Sequence, residues 1–367
     1  MSRSLLVTGG AGFIGCNFIQ FWMRHHPNDR IVNLDLLTYA GNLENLRTVE
    51  DRPNYTFVQG DICDQSLVEQ LIEAHQVDTI VHFAAESHVD RSILGPGTFV
   101  RTNVQGTFTM LEAARQAWAN MAGSQVFLNV STDEVYGSLS RDEAPWDEQA
   151  LIEPNSPYSA SKAAASHFGR AYWHTFGLPV ITTHCSNNYG PYQFTEKLIP
   201  VVILRGLQGE HIPIYGDGMQ VRDWLHVHDH CSAIERILLR GKPGETYNVG
   251  GQGERTNRHV IRTILDILDR LAPNGQSRRR LMRFVTDRPG HDRRYGIDAS
   301  RLRRELGWRC YYNVETGIEE TVRWYLANES WWRNLETATG RFAGDEAMLK
   351  TFQAMNQTEA TCSEPAT

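Results

Sequence analysis

The stretch TGGAGFIG, Thr8 to Gly15, follows directly on the apolar run that ends at Val7 and opens a segment, 13–26, with helical periodicity. Gly10, Gly12 and Gly15 satisfy G-x-G-x-x-G, while Gly9, Gly12 and Gly15 satisfy a spacing of three. Glycines in such a turn permit the tight reversal and let the backbone approach a pyrophosphate. They also let the helix pack closely on the strand, its N-terminus facing the phosphates. A dinucleotide site needs an acid about 20 residues further on, and Asp35 stands there, ending the run RIVNLD. Its carboxylate can accept from a ribose 2′-hydroxyl and repels a 2′-phosphate, so the expected cofactor is NAD rather than NADP. Asp61, in QGDI, is read either as lying at the adenine edge or as a strand-terminal turn acid.

The same alternation continues outward from this turn. Apolar runs TFVQGD (56–61), VDTIVHFAA (77–85), QVFLNVS (125–131) and LPVITTHC (178–185) are separated by helical segments at 64–75, about 98–119 and about 158–176. Near-continuous apolar strands belong to a parallel sheet covered on both faces. The expected fold class is α/β: a Rossmann-type doubly wound parallel sheet with a smaller mixed α/β substrate-binding lobe. After Gly190-Pro191 the pattern turns irregular, with short strands such as IPIY (212–215) and YNVGG (247–251) among helices near 197–208, 228–240, 256–271 and 314–329. The expected division is an NAD-binding domain at 1–190 with returning segments about 225–250, and a nucleotide-sugar-binding lobe from 191–224 and 251–335. The polar segment 340–367 is expected to be a disordered tail.

The 367 residues carry 36 Lys+Arg against 43 Asp+Glu, a net charge of −7. That balance offers no electrostatic case for nucleic acid or an anionic membrane surface. No apolar run approaches the ~18 residues of a membrane span, and MSRSLLVTGG contains no signal-like apolar core; the expected compartment is the cytoplasm. Cysteines 16, 63, 185, 231, 310 and 362 form no C-x-x-C pair and are expected as reduced thiols. No metal is expected, and His226 and His228 in WLHVHDH are read as packing residues. Arg278 to Arg309 holds 11 Arg and 4 acids, a local +7 in an otherwise acidic chain. Such a stretch asks for an anion, unless its arginines pair with the protein's own carboxylates.

Two features carry chemistry. Tyr158 and Lys162, in YSASK at the start of an Ala-rich helix, share a helix face at i, i+4. An ammonium and a cationic nicotinamide ring beside a phenol favour phenolate, so this tyrosine is expected to titrate below its usual ~10 and to take a proton from an alcohol. Only four lysines stand among 32 arginines, which marks Lys162 out. Thr132, Asp133 and Glu134, in STDEVYG, follow an apolar strand at the end where open α/β sheets place ligands. Two adjacent acids in different surroundings can divide general-acid and general-base work.

TGGAGFIG, AAESHVDRS (84–92), STDEVYG (131–137), YSASK (158–162), CSNNYGPYQF (185–194), EKLIP (196–200), GDGMQVRDWLHV (216–227) and DRPGHDRRYGID (287–298) together resemble the dTDP-glucose 4,6-dehydratase family of extended short-chain dehydrogenases/reductases. The resemblance spans about residues 4–330. It departs at Thr195, where proline is usual, and at Ala165-Ser166, where Ser-Asp is common. It implies that Tyr158, helped by Lys162, takes the sugar 4-hydroxyl proton during C4 oxidation, with Thr132 hydrogen-bonding that hydroxyl. Glu134 then removes the C5 proton, Asp133 protonates the departing 6-hydroxyl, and hydride returns to C6. It further implies Gly9, Gly12, Phe13, Ile14, Gly15, Asp35, Leu36, Thr38, Asp61, Ile62, Ala84, Ala85, Ser87, Thr102, Tyr158, Lys162 and Asn188 at NAD. Ser87, Thr132, Asn187, Lys197, Leu198, Pro213, Tyr215, Arg222, Asn257 and His291 are implied at dTDP-glucose. Arg222 and Lys197 suit a diphosphate, although Arg222 could instead pair with Asp223, and Asn187 or Asn188 could cap the turn before Gly190.

A homodimer is implied through helices 98–119 and 158–176, with Ala160, Ala163, Ala164 and Ala165 permitting close approach. The alternatives are a UDP-glucose dehydratase, a nucleotide-sugar 4-epimerase or decarboxylase, and a non-enzymatic NAD-binding regulator. An epimerase has no use for the Asp133-Glu134 pair, and a regulator should have lost part of the tyrosine, lysine and acid set.

Overall fold

The structure is a computed structural model that describes residues 2–339. Seven parallel strands form its main sheet: β1 (Ser4–Thr8), β2 (Arg30–Asp35), β3 (Tyr55–Gln59), β4 (Thr79–His82), β5 (Val126–Thr132), β6 (Val180–Cys185) and β7 (Thr246–Val249). Their spatial order is β7-β6-β5-β4-β1-β2-β3. Alternate residues of an apolar strand face opposite sides of a sheet. Leu5, paired with Ile31, enters one core, and Leu6, paired with Val32 and Ile80, enters the other.

The helices are α1 (Phe13–His25), α2 (Gln65–Ala74), α3 (Thr107–Trp118), α4 (Pro157–Phe176), α5 (Leu198–Gln208), α6 (Val227–Arg240), α7 (Asn257–Leu271), α8 (Ser300–Leu306), α9 (Val314–Ala327) and α10 (Glu329–Thr339), with two shorter ones at Val89–Leu94 and Pro96–Phe99. One face of the sheet is covered by Phe18 and Trp22 of α1, Ile234 and Ile237 of α6 and Leu302 of α8. Val68 and Ile72 of α2 and Met110 and Leu111 of α3 cover the other. A separate core joins Ile203, Ile264, Ile318, Tyr325, Trp331 and Trp332 from α5, α7, α9 and α10.

YNVGG lies in the segment 225–250 expected to return to the first domain, and Thr246–Val249 extends the main sheet there, Tyr247 opposite Thr183 and both fully buried. One expectation needs correction. The segment 98–119 is not one regular α-helix. A π-helical stretch, Val100–Gly106, separates the turn Pro96–Phe99 from α3. The wider turn brings Asn103 under the active-site wall, where its Oδ1 accepts from Glu86 N (2.8 Å) and its Nδ2 donates to Glu86 O (3.0 Å) and Ser161 Oγ (2.8 Å). The helix expected near 314–329 is α9, and α10 follows it after Asn328. The expected tail, 340–367, lies outside the described residues.

Candidate active site

The chain leaves β1 toward β2 on one side and reaches β4 on the other, and at such a reversal the strand ends open into a crevice. A cavity of about 320 Å³ lies there. Every residue expected at NAD, from Gly9 to Asn188, lines it, and so do Thr132, Glu134, Asn187 and Lys197. The turn is built for close approach. Gly9 has φ +69°, and a Cβ there would stand 2.7 Å from Ala84 N; one on Gly15 would stand 2.3 Å from Gly9 O. Gly12 precedes α1 without a side-chain cap, leaving first-turn N–H groups for an anion. Asp35 accepts from Ala11 N (2.9 Å) and Leu37 N (2.8 Å). Burial raises its pKa and these two bonds oppose that. The glycine cradle, the uncapped helix end and the carboxylate beside them fit NAD. Asp61 lines the cavity and also serves its own turn, accepting from Cys63 N (2.9 Å) and Arg101 (2.6 Å).

The acid pair sits where β5 ends and a 3₁₀ turn, Asp133–Tyr136, begins. Glu134 N donates to Thr132 Oγ1 (3.3 Å), and Thr132 Oγ1 donates to Asp133 Oδ1 (3.3 Å). Asp133 is 1% exposed and its Oδ2 has no partner. Burial first, then the charges of Glu134 and Asp223, push its pKa well above the usual carboxylate range. Burial also raises Glu134, but Arg288, Arg222 and Lys197 pull it back. Neighbours in sequence therefore differ in kind: burial and like charges favour the neutral form of Asp133, while cations beside Glu134 offset part of its burial.

The Tyr158-Lys162 pair departs from expectation in one respect. Lys162 Nζ donates to Val130 O (2.7 Å), and burial lowers the ammonium to about 8. Tyr158 is raised well above its ordinary value, by burial first and then by the Glu134 and Cys185 charges; only its hydrogen bond with Thr132 works the other way. In the protein alone burial is the largest influence on the phenol and favours its protonated form.

Leu198, Pro213, Tyr215, Arg222, Asn257 and His291 do not line the NAD cavity. They occupy the second half of the chain: Leu198 opens α5, Asn257 opens α7, and His291 presents its ring edge to Tyr215. Arg222 is not paired with Asp223. Arg222 lies 4.2 Å over the Tyr295 ring, donating to Val221 O (2.8 Å) and Asp292 O (3.0 Å). Asp223 instead accepts from Gly251 N (2.8 Å) and Gly253 N (2.6 Å). Asn187 and Asn188 are strand residues rather than turn caps, paired with Trp224 and Leu225. Asn187 Oδ1 is buried without a partner on the cavity wall.

Sequence reasoning missed Arg288, which is tied to Asp90 at 2.6 Å and faces Glu134, and also Glu86 and Glu196 on the cavity wall. All three lay inside quoted motifs, but only folding joins DRPGH to AAESHVD. Among the described residues, His226, His228 and Glu320 form the one group close enough to share a metal ion. His226 Nδ1 there accepts from His228 N (3.3 Å), and its ring packs 3.9 Å from that of Tyr312.

Comparison with known proteins follows the same lines. A family model described as GDP-mannose 4,6 dehydratase matches residues 6–321. A dTDP-glucose 4,6-dehydratase of Xanthomonas campestris pv. campestris (strain B100) is 55% identical over 332 residues, 89% of this chain and 94% of that one. The Bacillus anthracis dTDP-glucose 4,6-dehydratase, solved in complex with NAD, is 46% identical with a TM-score of 0.82, over 91% of this chain and all of the other. The DesIV dTDP-glucose 4,6-dehydratase of Streptomyces venezuelae, solved with NAD and TYD bound, is 47% identical with a TM-score of 0.84, again over 91% and 100%.

Proposed function

The chain belongs to the dTDP-glucose 4,6-dehydratase family, and from that membership we propose that it removes water from dTDP-glucose to give dTDP-4-keto-6-deoxyglucose, with NAD resident in the cavity at β1. The observation that carries the reading is the buried acid pair Asp133-Glu134 at the end of β5, with Thr132 hydrogen-bonded to both residues and with Glu134 on the cavity wall beside Tyr158 and Lys162. NAD, when bound, supplies an acceptor for hydride from C4 and returns it to C6.

The protein's own residues move the protons. Thr132 holds the 4-hydroxyl, and Tyr158 accepts its proton, with Lys162 beneath to offset the developing phenolate. Ketone formation at C4 acidifies C5–H. Glu134 removes that proton, and Asp133 delivers its own to the 6-hydroxyl, which leaves as water. Arg222, Lys197 and Asn187 bind the nucleotide-sugar, with Leu198, Pro213, Tyr215, Asn257 and His291 completing that lobe.

Incubation with dTDP-glucose and UDP-glucose side by side, with products identified by mass, tests the reading. Loss of one water from dTDP-glucose supports it; C4 epimerisation without mass change sinks it, and preference for UDP-glucose moves the base assignment.

We further propose a homodimer across α3 and α4. Ala163 and Ala165 are buried within the subunit, so they do not supply the contact face. Phe108, Phe168 and Phe176 do: they are 40%, 37% and 54% exposed, and the Phe108 and Phe168 rings lie edge to face. No helix among the described residues is long and apolar enough to cross a membrane. The five described cysteines are free thiols, which fits a reducing cytoplasm.

A further inference from the structure

The basic segment Arg278–Arg309 is not consumed by the site described above. Six of its arginines are held by carboxylates of the chain at 2.5–2.9 Å: Arg278 by Asp269, Arg279 by Asp266, Arg288 by Asp90, Arg293 by Asp217, Arg294 by Glu254 and Arg301 by Glu245. Arg303, Arg304 and Arg309 are different. Arg303 is 3.9 Å from Asp298, and Arg304 is 4.0 Å from Glu305, a carboxylate that Arg301 already holds at 3.1 Å. Arg309 has no ion pair among the described residues. These three weakly paired arginines line one cavity of about 660 Å³, together with Gln252, Trp308 and Cys310, and it shares no lining residue with the NAD cavity.

One wall of this cavity is mechanically tied to the substrate lobe. Gln252 sits at φ +54°, an uncommon conformation for a non-glycine residue, and its amide oxygen, turned toward Arg303, lies 3.2 Å from Nη2. On either side of it, Gly251 N and Gly253 N donate to Asp223, which is 1% exposed and adjoins Arg222. An anion that engages Arg303 competes with the Gln252 amide, and Gln252 is the residue between the two N–H groups that hold Asp223.

We propose that this cavity is a second anion site, which takes a phosphoanion bearing at least two charges and acts on the nucleotide-sugar lobe through the loop Gly250–Gly253. Guanidinium forks match phosphate oxygens in pairs, and three of them favour a multiply charged phosphoanion over a single carboxylate.

The probe is inorganic pyrophosphate, titrated calorimetrically into NAD-loaded protein whose substrate site is saturated with dTDP. The expected result is one pyrophosphate per chain, bound about tenfold more weakly or worse by Arg303→Gln/Arg309→Gln. Arg280→Gln, an exposed arginine of the same segment outside the cavity, should bind as the parent does. Absence of binding to the parent overturns the proposal, as does equal binding by the double variant or an equal loss in Arg280→Gln. Unfolding midpoints establish that each variant is folded. Coupling is read as the change in KM for dTDP-glucose on adding pyrophosphate. That change should shrink in the double variant, and an identical change in both proteins removes the regulatory half of the proposal.

Discussion

Glu134 and Tyr158 stand on the same cavity wall, and the proposed mechanism gives them different proton transfers, so their conservative variants should stall at different points. Glu134→Gln keeps shape and loses the base for C5; in a single turnover with dTDP-glucose, reduced-nicotinamide absorbance should accumulate while product does not form. Tyr158→Phe loses the acceptor of the 4-hydroxyl proton and should show little reduction at all, each variant falling in turnover by about 10²–10⁴-fold. Product formation by Glu134→Gln at the parent rate would move the base role to Asp133 or water. A second test follows from Lys162, whose folded pKa of about 8 lies below the 10.5 of an exposed lysine. Between those values the unfolded chain holds a proton that the folded one has released, so stability rises with pH across that window. Lys162→Met lacks the effect. The stability of the parent relative to this variant should therefore grow by ~3 kcal/mol from pH 7.5 to above 10.5, measured by urea denaturation. A flat difference would mean that the lysine is not desolvated.

At the level of elements, the strand–turn–helix unit 4–25 depends on backbone proximity that no side chain can share. A Cβ at Gly15 meets Gly9 O at 2.3 Å and Gly10 Cα at 2.7 Å, both backbone atoms with little room to yield. Gly15→Ala should push α1 off β1, destabilise the protein by more than about 1 kcal/mol and release NAD during gel filtration. Unchanged retention would show that the turn tolerates a wider helix–strand spacing. The π-helical stretch Val100–Gly106 is a different kind of element. Apolar spacing announced a helix there, but period alone does not distinguish a run of wider turns from a regular one. What the wider turns accomplish, Asn103 bridging the Glu86 backbone and Ser161, is visible only once β4 and α4 stand beside it.

For the whole molecule, the exposed phenylalanines of α3 and α4 predict association of two copies. Phe108→Glu combined with Phe168→Glu should give a monomeric mass by light scattering at micromolar concentration, where the parent should give a dimeric one, because two charges would have to be desolvated in a contact face. A monomeric parent would refute the proposed dimer. NAD should also remain bound to the parent through purification, since the proposed cycle returns its hydride and never requires exchange. Recovery of a nucleotide-free parent that forms reduced nicotinamide only stoichiometrically would contradict the cycle.

Motifs governed by local physics were legible from the chain. The glycines before α1, Asp35 at the end of β2, the i, i+4 pair Tyr158 and Lys162, and the acids following β5 all sit where period, turn chemistry and strand ends place them, and all but Gly10 and Asp133 reach one cavity wall. Quantities set by neighbours distant in sequence were not legible. The phenol of Tyr158 was expected low and is held high, because its titration depends on burial and on Glu134, 24 positions away, more than on the nearby lysine. Arg222 has an acid beside it in sequence yet stacks on Tyr295, while that acid, Asp223, is held by the distant Gly251 and Gly253 N–H groups. The pairing of Arg288 with Asp90 and the gathering of three weakly paired arginines around one cavity are likewise tertiary decisions. Local sequence can specify a strand, a turn or a helix face. Dielectric surroundings and charge partners exist only after distant segments have packed together.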